Sequence, residues 1–239
     1  MPIFKLEKDL ILFPPTGLAD HDGLLAYGGD LSVERLLCAY RNGIFPWYNP
    51  DEPILWWSPH RRFLIFPNEI HVSRSMKKTL RRGDFDIKMN ADFGAIMKNC
   101  RKLREGKTWI SDDMEVAYNA LFDAGHALCV GVYSRGEVRQ AHTDSRGQES
   151  GAAHSLEAGQ LVGGLYGVVI GRCFFGESMF SLVPDASKIA LIHLCRFLAE
   201  RDFVFADCQF HTPHLEKMGG RYVSWADYRR LLREGQENL

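Results

Sequence analysis

The stretch 161–209 constrains the fold of this 239-residue chain more than any other. Two apolar runs, 161–170 and 173–180, meet at Gly171-Arg172, a turn pair between segments of strand character. Asp185 then precedes 186–200, where Ile189, Leu191, Ile192, Leu194, Cys195 and Leu198 recur at helical spacing. That pattern predicts a helix packed on a sheet, with Asp185 as its N-cap. The chain returns as a third strand over 203–209, ending Asp207-Cys208-Gln209. A strand has period two, so Asp207 and Gln209 are expected on one face and Cys208 on the other. A hairpin, a helix and a strand carrying two polar groups on one side make a platform for a reaction.

The flanking chain reads as support. Residues 1–60 are dense in turns and aromatics (FPPTG, AYGGD, FPWYNPDEP, LWWSP) around one helix at 32–42, capped by Ser32 or Asp30. Trp47, Tyr48, Trp56 and Trp57 crowd its Pro-rich end: plugs for a small domain, with one or two left open as a wall facing a ligand. From Arg61 strands and helices mix. Ser73 caps a helix to about Arg82, closed by Gly83, and Ser111 caps another that ends at Gly125. On the first, Arg74, Lys77, Lys78 and Arg81 fall on one stripe, with Arg82 beside them. Such a stripe is either a solvated face or a phosphate-contact surface, and the dearth of carboxylates keeps the second reading open. The segment 134–160 is polar, and its His142 and His154 are read as incidental. Thr212-Pro213 opens a short helix, and Ser224 caps the last. The chain divides into a small domain at 1–60 and an α/β or α+β sheet domain at 61–239.

Composition removes several function classes. Lys and Arg number 29 against 30 Asp and Glu, so a nucleic-acid surface has to be a local patch. The six cysteines are scattered without a C-x-x-C and read as reduced core thiols. His211 and His214 have no evident third partner, so no metal is expected. The amino terminus lacks the features of a secretory signal and no run approaches a membrane span, which points to the cytoplasm. There is no G-x-x-x-x-G-K-[ST], no G-x-G-x-x-G at a strand–helix turn and no G-x-S-x-G. The glycines of GGLYG lie inside a strand run, where they permit close approach of a backbone or ligand. What remains is polar groups inside apolar strands: Glu177, Ser178, Asp207 and Gln209. A carboxylate there carries a desolvation cost that something has to offset. Glu177 and Asp207 are candidates for chemistry, and Ser178 for a structural hydrogen bond.

Several long motifs now converge. GLLAYGGDLS (23–32), AYRNGIFPWYNPDEPILWWSP (39–59), HVSRSMKKTLRR (71–82), TWI (108–110), LVGGLYGV (161–168), FFGESMFS (174–181), ASKIAL (186–191) and DCQ (207–209) resemble, in order and over nearly the whole chain, the leucyl/phenylalanyl-tRNA–protein transferase family. The resemblance implies an α+β protein, with a small N-terminal domain and a C-terminal mixed-sheet domain similar to the N-acetyltransferase fold. It implies an enzyme that moves Leu or Phe (also Met) from tRNA to an N-terminal Arg or Lys of a protein; a monomer without cofactor or metal is expected. Such tagging marks the protein for degradation by the N-end rule route. Asp207 would then orient or deprotonate the acceptor amine, Gln209 would hydrogen-bond at the reacting centre, and Glu177 would hold the donor or the cationic acceptor. Trp47 and Trp109 match the positions that stack the 3′ adenosine. Leu165, Leu194, Leu198 and Ala206 match the amino-acid pocket. The helix with Arg74, Lys77, Lys78, Arg81 and Arg82 would meet tRNA phosphates without reading sequence. Ester-to-amide transfer runs downhill, consistent with the missing nucleotide motifs. SLVPDASK, after the Glu177 strand, lacks the Gly-rich pyrophosphate loop of an acetyl-CoA enzyme. Two rivals stand beside this reading: an acyl-CoA N-acyltransferase, and a tRNA-binding module without catalysis.

Overall fold

The computed structural model describes residues 3–103, 109–136, 138–139 and 155–237. In chain order come β1 (Phe4–Leu6), β2 (Leu24–Gly28), α1 (Val33–Arg41), β3 (Phe45–Pro46), β4 (Leu55–Trp57), β5 (Arg61–Ile65), α2 (Arg74–Arg82) and β6 (Phe85–Met89). These are followed by α3 (Phe93–Lys102), α4 (Asp112–Asp123), β7 (Ala127–Ser134), β8 (Val138–Arg139), β9 (Ser155–Leu156), β10 (Leu161–Ile170) and β11 (Cys173–Ser181). The chain finishes with α5 (Ala186–Ala199), β12 (Phe205–Asp207), α6 (Pro213–Lys217), β13 (Arg221–Ser224) and α7 (Trp225–Gln236). Two mixed sheets result: a four-stranded one ordered β1-β2-β4-β3 and a seven-stranded one ordered β13-β5-β12-β11-β10-β7-β6. No helix among the described residues is long and apolar enough to cross a membrane.

The 161–209 stretch builds the middle of the large sheet. β10 and β11 form the expected hairpin, with Ile170 opposite Cys173 and Gly171 at φ +55° in the two-residue turn. Glycine is required again at Gly167, where a Cβ would stand 2.1 Å from the carbonyl oxygen of Phe175. The β10–β11 ladder jumps from Tyr166–Ser178 to Gly167–Gly176, so Glu177 is an extra residue in a β-bulge. α5 carries the chain to β12, which runs parallel to β11 over Cys173–Phe205, Phe174–Ala206 and Phe175–Asp207.

Serine and threonine hydroxyls cap the helices as expected. Ser32, Ser73, Ser111, Thr212 and Ser224 each accept a backbone N–H from the first turn, and Asp30 accepts the N–H of Ser32. Asp185 departs from expectation. It sits at the cap position with φ +68° and makes no cap bond, because its carboxylate pairs with Lys188 at 2.6 Å. The third strand is also shorter than 203–209. It ends at Asp207, and Gln209 lies in the turn beyond, at φ +56°. Most of 134–160, with His142 and His154, is outside the described residues.

The large sheet is covered on both faces. One side packs α5 with α2 and α6, burying Ile189, Ile192, Cys195, Met76 and Leu215. The isoleucine, leucine and methionine side chains among them contribute about 1.5–3 kcal/mol each. The other side meets α3, α4 and α7 together with the N-terminal sheet. Leu25 and Trp56 share one buried cluster with Tyr166, Phe175 and Tyr228, so 1–60 and the remainder are joined by a continuous core.

Candidate active site

Parallel strands place a crevice beyond their carboxyl ends, where neighbouring connections part. A cavity of about 450 Å³ lies at that place, past the paired ends of β11 and β12. Leu165, Met179, Leu191, Leu194 and Ala206 give it an apolar wall. Trp47 and Trp109 also line it. Trp47 is 43% exposed and leans on Trp57 and Phe210, each at a ring separation of 5.7 Å. Glu177, Ser178, Asp207, Gln209 and His214 supply the polar part.

Asp207 is wholly buried and committed on every side. Its carboxylate is ion-paired with the buried Arg62 guanidinium, whose Nε lies 3.1 and 3.3 Å from the two oxygens. Tyr228 donates its hydroxyl to Oδ2 at 2.9 Å, and the backbone N–H of Gln209 donates to Oδ1 at 2.8 Å. Burial works against the Arg62 charge, but Asp207 outweighs it and raises the guanidinium above its usual value. Arg62 also donates to the carbonyl of Gly43 at 3.0 Å, tying the platform to the N-terminal segment. The last of these Asp207 bonds and a 3.3 Å bond from the N–H of Phe63 to the Gln209 carbonyl hold Gln209 in its left-handed conformation. For a residue with a side chain that conformation costs of the order of 1–2 kcal/mol. Cys208, expected on the opposite face, lines the cavity too, because the strand has already ended.

Glu177 is built differently. Tyr40 donates to Oε1 at 2.7 Å, Tyr118 donates to Oε2 at 3.0 Å, and the two hydroxyls lie 2.5 Å apart. Desolvation pushes the carboxyl up to about 7; the tyrosine hydroxyls pull the other way, and nearby Asp207 adds to the rise. A carboxyl poised there changes charge within the working range of most enzymes.

Other candidates fall in different places. Leu198 is fully buried one turn beyond Leu194 and is not part of the wall. Arg74, Lys77, Lys78, Arg81 and Arg82 all lie on α2 at or near the solvent-facing side, and only Arg82 has an ion-pair partner among the described residues, Asp84 at 2.9 Å. α5 stands between that helix and the cavity. Its Ile189 and His193 border a second hollow lined by Thr79 and Leu80 of α2, while Leu191 and Leu194 face the main cavity. Sequence reasoning missed Arg62, Tyr40, Tyr118, Tyr228 and the cavity position of His214. Arg62 did leave a signal, a charge beside the apolar run FLI that follows it. The tyrosines left none, since they sit where a helix core residue is expected.

Family models match most of the chain. The model described as leucyl/phenylalanyl-tRNA protein transferase matches residues 64–142 and 145–233, and the one described as its N-terminal domain matches 29–60. Among curated proteins, the leucyl/phenylalanyl-tRNA–protein transferase of Thiobacillus denitrificans is 49% identical, covering 93% of this chain and 89% of its own length. Those of Syntrophobacter fumaroxidans (44% identical, 98% of this chain, 91% of its own) and Syntrophus aciditrophicus (46%, 98% and 89%) are similar over nearly the same span.

Proposed function

The chain belongs to the leucyl/phenylalanyl-tRNA protein transferase family and is an aminoacyltransferase, and from that premise we propose that it carries Leu or Phe, and also Met, from aminoacyl-tRNA to the α-amino group of an N-terminal Arg or Lys of acceptor proteins. One observation carries this reading: a single cavity joins an apolar pocket, two tryptophans, the buried Asp207 network and the half-buried Glu177 network. The apolar wall suits a Leu or Phe side chain. Trp47 and Trp109 suit the 3′ adenosine, since base stacking on an aromatic contributes about 1–3 kcal/mol. The cations of α2 suit tRNA phosphates, the strand passing over α5 to reach the cavity.

The acceptor's α-amine attacks the ester carbonyl carbon and the ribose hydroxyl leaves. An α-amine titrates near ~7.7–8.0, so part of it is neutral at working pH. Asp207 serves as the fixed anchor of Gln209, because its own lone pairs are taken by Arg62, Tyr228 and the Gln209 N–H. Gln209 then hydrogen-bonds at the reacting centre. Glu177, ionised above about 7, attracts the cationic acceptor. Holding two reactants together in this way accounts for a large share of the acceleration. The protein works as a cytoplasmic monomer, and the products are marked for N-end rule degradation. An N-acetyltransferase-like reading of 61–239 belongs with this proposal, and a mixed sheet with one parallel pair at the cavity is compatible with it.

The test is to mix the protein with Phe-tRNA and an Arg-initiated peptide, without ATP, and follow the peptide by mass. A Phe added at the N-terminus is expected. Binding of tRNA with no transfer would leave a binding module, and turnover of acetyl-CoA without tRNA would make it an acyl-CoA N-acyltransferase.

A further inference from the structure

Amide formation from an ammonium has to lose a proton, and most of the cavity's titratable groups are engaged. Asp207 is saturated by Arg62, Tyr228 and the Gln209 N–H, and Glu177 accepts from Tyr40 and Tyr118. Burial drives the Cys208 thiol well above its usual value, so it stays protonated. His214 is the exception. It lines the cavity from α6, and its Nε2 is buried without a hydrogen-bond partner. An orphaned buried nitrogen is unfavourable, and a ligand that hydrogen-bonds to it removes that cost. Its neighbour His211, by contrast, is held by Glu216 at 3.0 Å. Burial first, and then the positive charge of Lys188, hold the His214 ring below its ordinary value, opposed by Asp185, so it is neutral near pH 7. Lys188 of α5 and Asp185 at its cap position are paired with each other at 2.6 Å.

We infer that His214 is the proton acceptor of the transfer, an assignment that rests on the aminoacyl-transfer reading above. The neutral amine's lone pair forms the new N–C bond at the ester carbonyl. The nitrogen, now positively charged, gives an N–H proton to Nε2, and the N–H electron pair stays on nitrogen. The ester C–O bond then breaks, its electron pair leaving with the ribose oxygen, which takes the proton back from the imidazolium. Amide and free hydroxyl result, His214 returns neutral, and no other reactant is consumed. The side chain sits at the cavity edge, on the element directly after the Gln209 turn. That position meets an incoming acceptor while the donor fills the apolar end.

The experiment compares wild type, His214→Gln and His214→Ala in Phe transfer from Phe-tRNA to an Arg-initiated peptide. Expected is a fall in kcat of about 10²-fold or more in both variants, with Phe-tRNA affinity within about two-fold of wild type. Added imidazole should restore part of the His214→Ala rate and leave wild type unchanged, which a merely structural histidine would not do. A semicarbazide acceptor, whose weakly basic nitrogen sheds its proton to water once the N–C bond has formed, should narrow the gap between variant and wild type. Full activity in His214→Ala, or a loss that imidazole does not restore, overturns the assignment while leaving the transferase reading intact. An inactive wild type overturns both.

Discussion

At the scale of the residue, the two carboxylates of the cavity are opposites, and each makes its own prediction. Asp207 neutralises a buried guanidinium, so Asp207→Asn strands Arg62 in the core. Breaking a buried pair costs roughly 3–5 kcal/mol, and a large drop in thermal midpoint is expected together with the loss of transfer. Tyr228→Phe separates the two effects, because it removes one hydrogen bond to Asp207 and leaves the ion pair. That variant should lose about 1 kcal/mol and bind Phe-tRNA normally; if Asp207 anchors Gln209, its kcat should fall more than that stability loss explains. Glu177 is the titrating partner. Its folded value, about 7, lies above the 4.5 of an ordinary glutamate, so the folded state binds the proton more tightly. The stability it confers is therefore complete below the unfolded value and lost as pH rises through about 7. Glu177→Gln should flatten the thermal midpoint between pH 4.5 and 7, measured by calorimetry. Wild type alone should show the acceptor's KM rising as pH falls below about 7. A KM indifferent to pH would remove Glu177 from the acceptor subsite.

At the scale of the element, the helices are legible in the sequence and the site strands less so. Caps are local chemistry: a hydroxyl three residues before an N–H is visible in the string, and Ser32, Ser73, Ser111, Thr212 and Ser224 all cap in that way. Asp185 does not, because Lys188, one turn on, competes for its carboxylate. The bulge at Glu177 and the turn at Gln209 are hidden because period-two reasoning assumes an unbroken ladder. Both breaks depend on partner strands distant in sequence. They are also what brings Glu177, Cys208 and Gln209 to one cavity. Gly167 stands opposite the bulge, so Gly167→Ala forces its Cβ into the Phe175 carbonyl and the Phe174 ring. Overpacking of this kind costs about 1–3 kcal/mol or more, and a lowered thermal midpoint with disturbed transfer is expected; an unchanged midpoint would mean that the hairpin yields to the extra methyl. For α2, reversing charge at Arg74 and Arg81 should weaken Phe-tRNA binding most at low salt. The salt slope should fall by about 0.7–0.9 for each phosphate the helix no longer neutralises. An unchanged slope would take that helix off the tRNA surface.

At the scale of the whole molecule, the N-terminal segment holds the site and is no appendage to it. Tyr40 of α1 reaches Glu177, Gly43 accepts from Arg62, and Phe45, Pro46 and Trp47 form part of the cavity wall. Composition could not reveal this, since turns, prolines and aromatics look alike whether they plug a separate small domain or complete a neighbour's site. The consequence is cooperative. Leu25, Trp56, Tyr166, Phe175 and Tyr228 share one buried cluster, so unwinding 1–60 would expose the large sheet's inner face and strip Glu177 of a hydrogen-bond partner. A two-domain chain would instead unfold in steps. Three of the five tryptophans (47, 56 and 57) lie in the first sixty residues, whereas most of the helix lies later. Tryptophan fluorescence and far-ultraviolet circular dichroism therefore weight the two segments differently. In urea both signals should fall together in one transition with a common midpoint. Tyr40→Phe should shift that midpoint for both probes alike. A fluorescence transition that precedes the circular-dichroism one would mean that the N-terminal segment folds as a unit of its own, with the cavity at its seam.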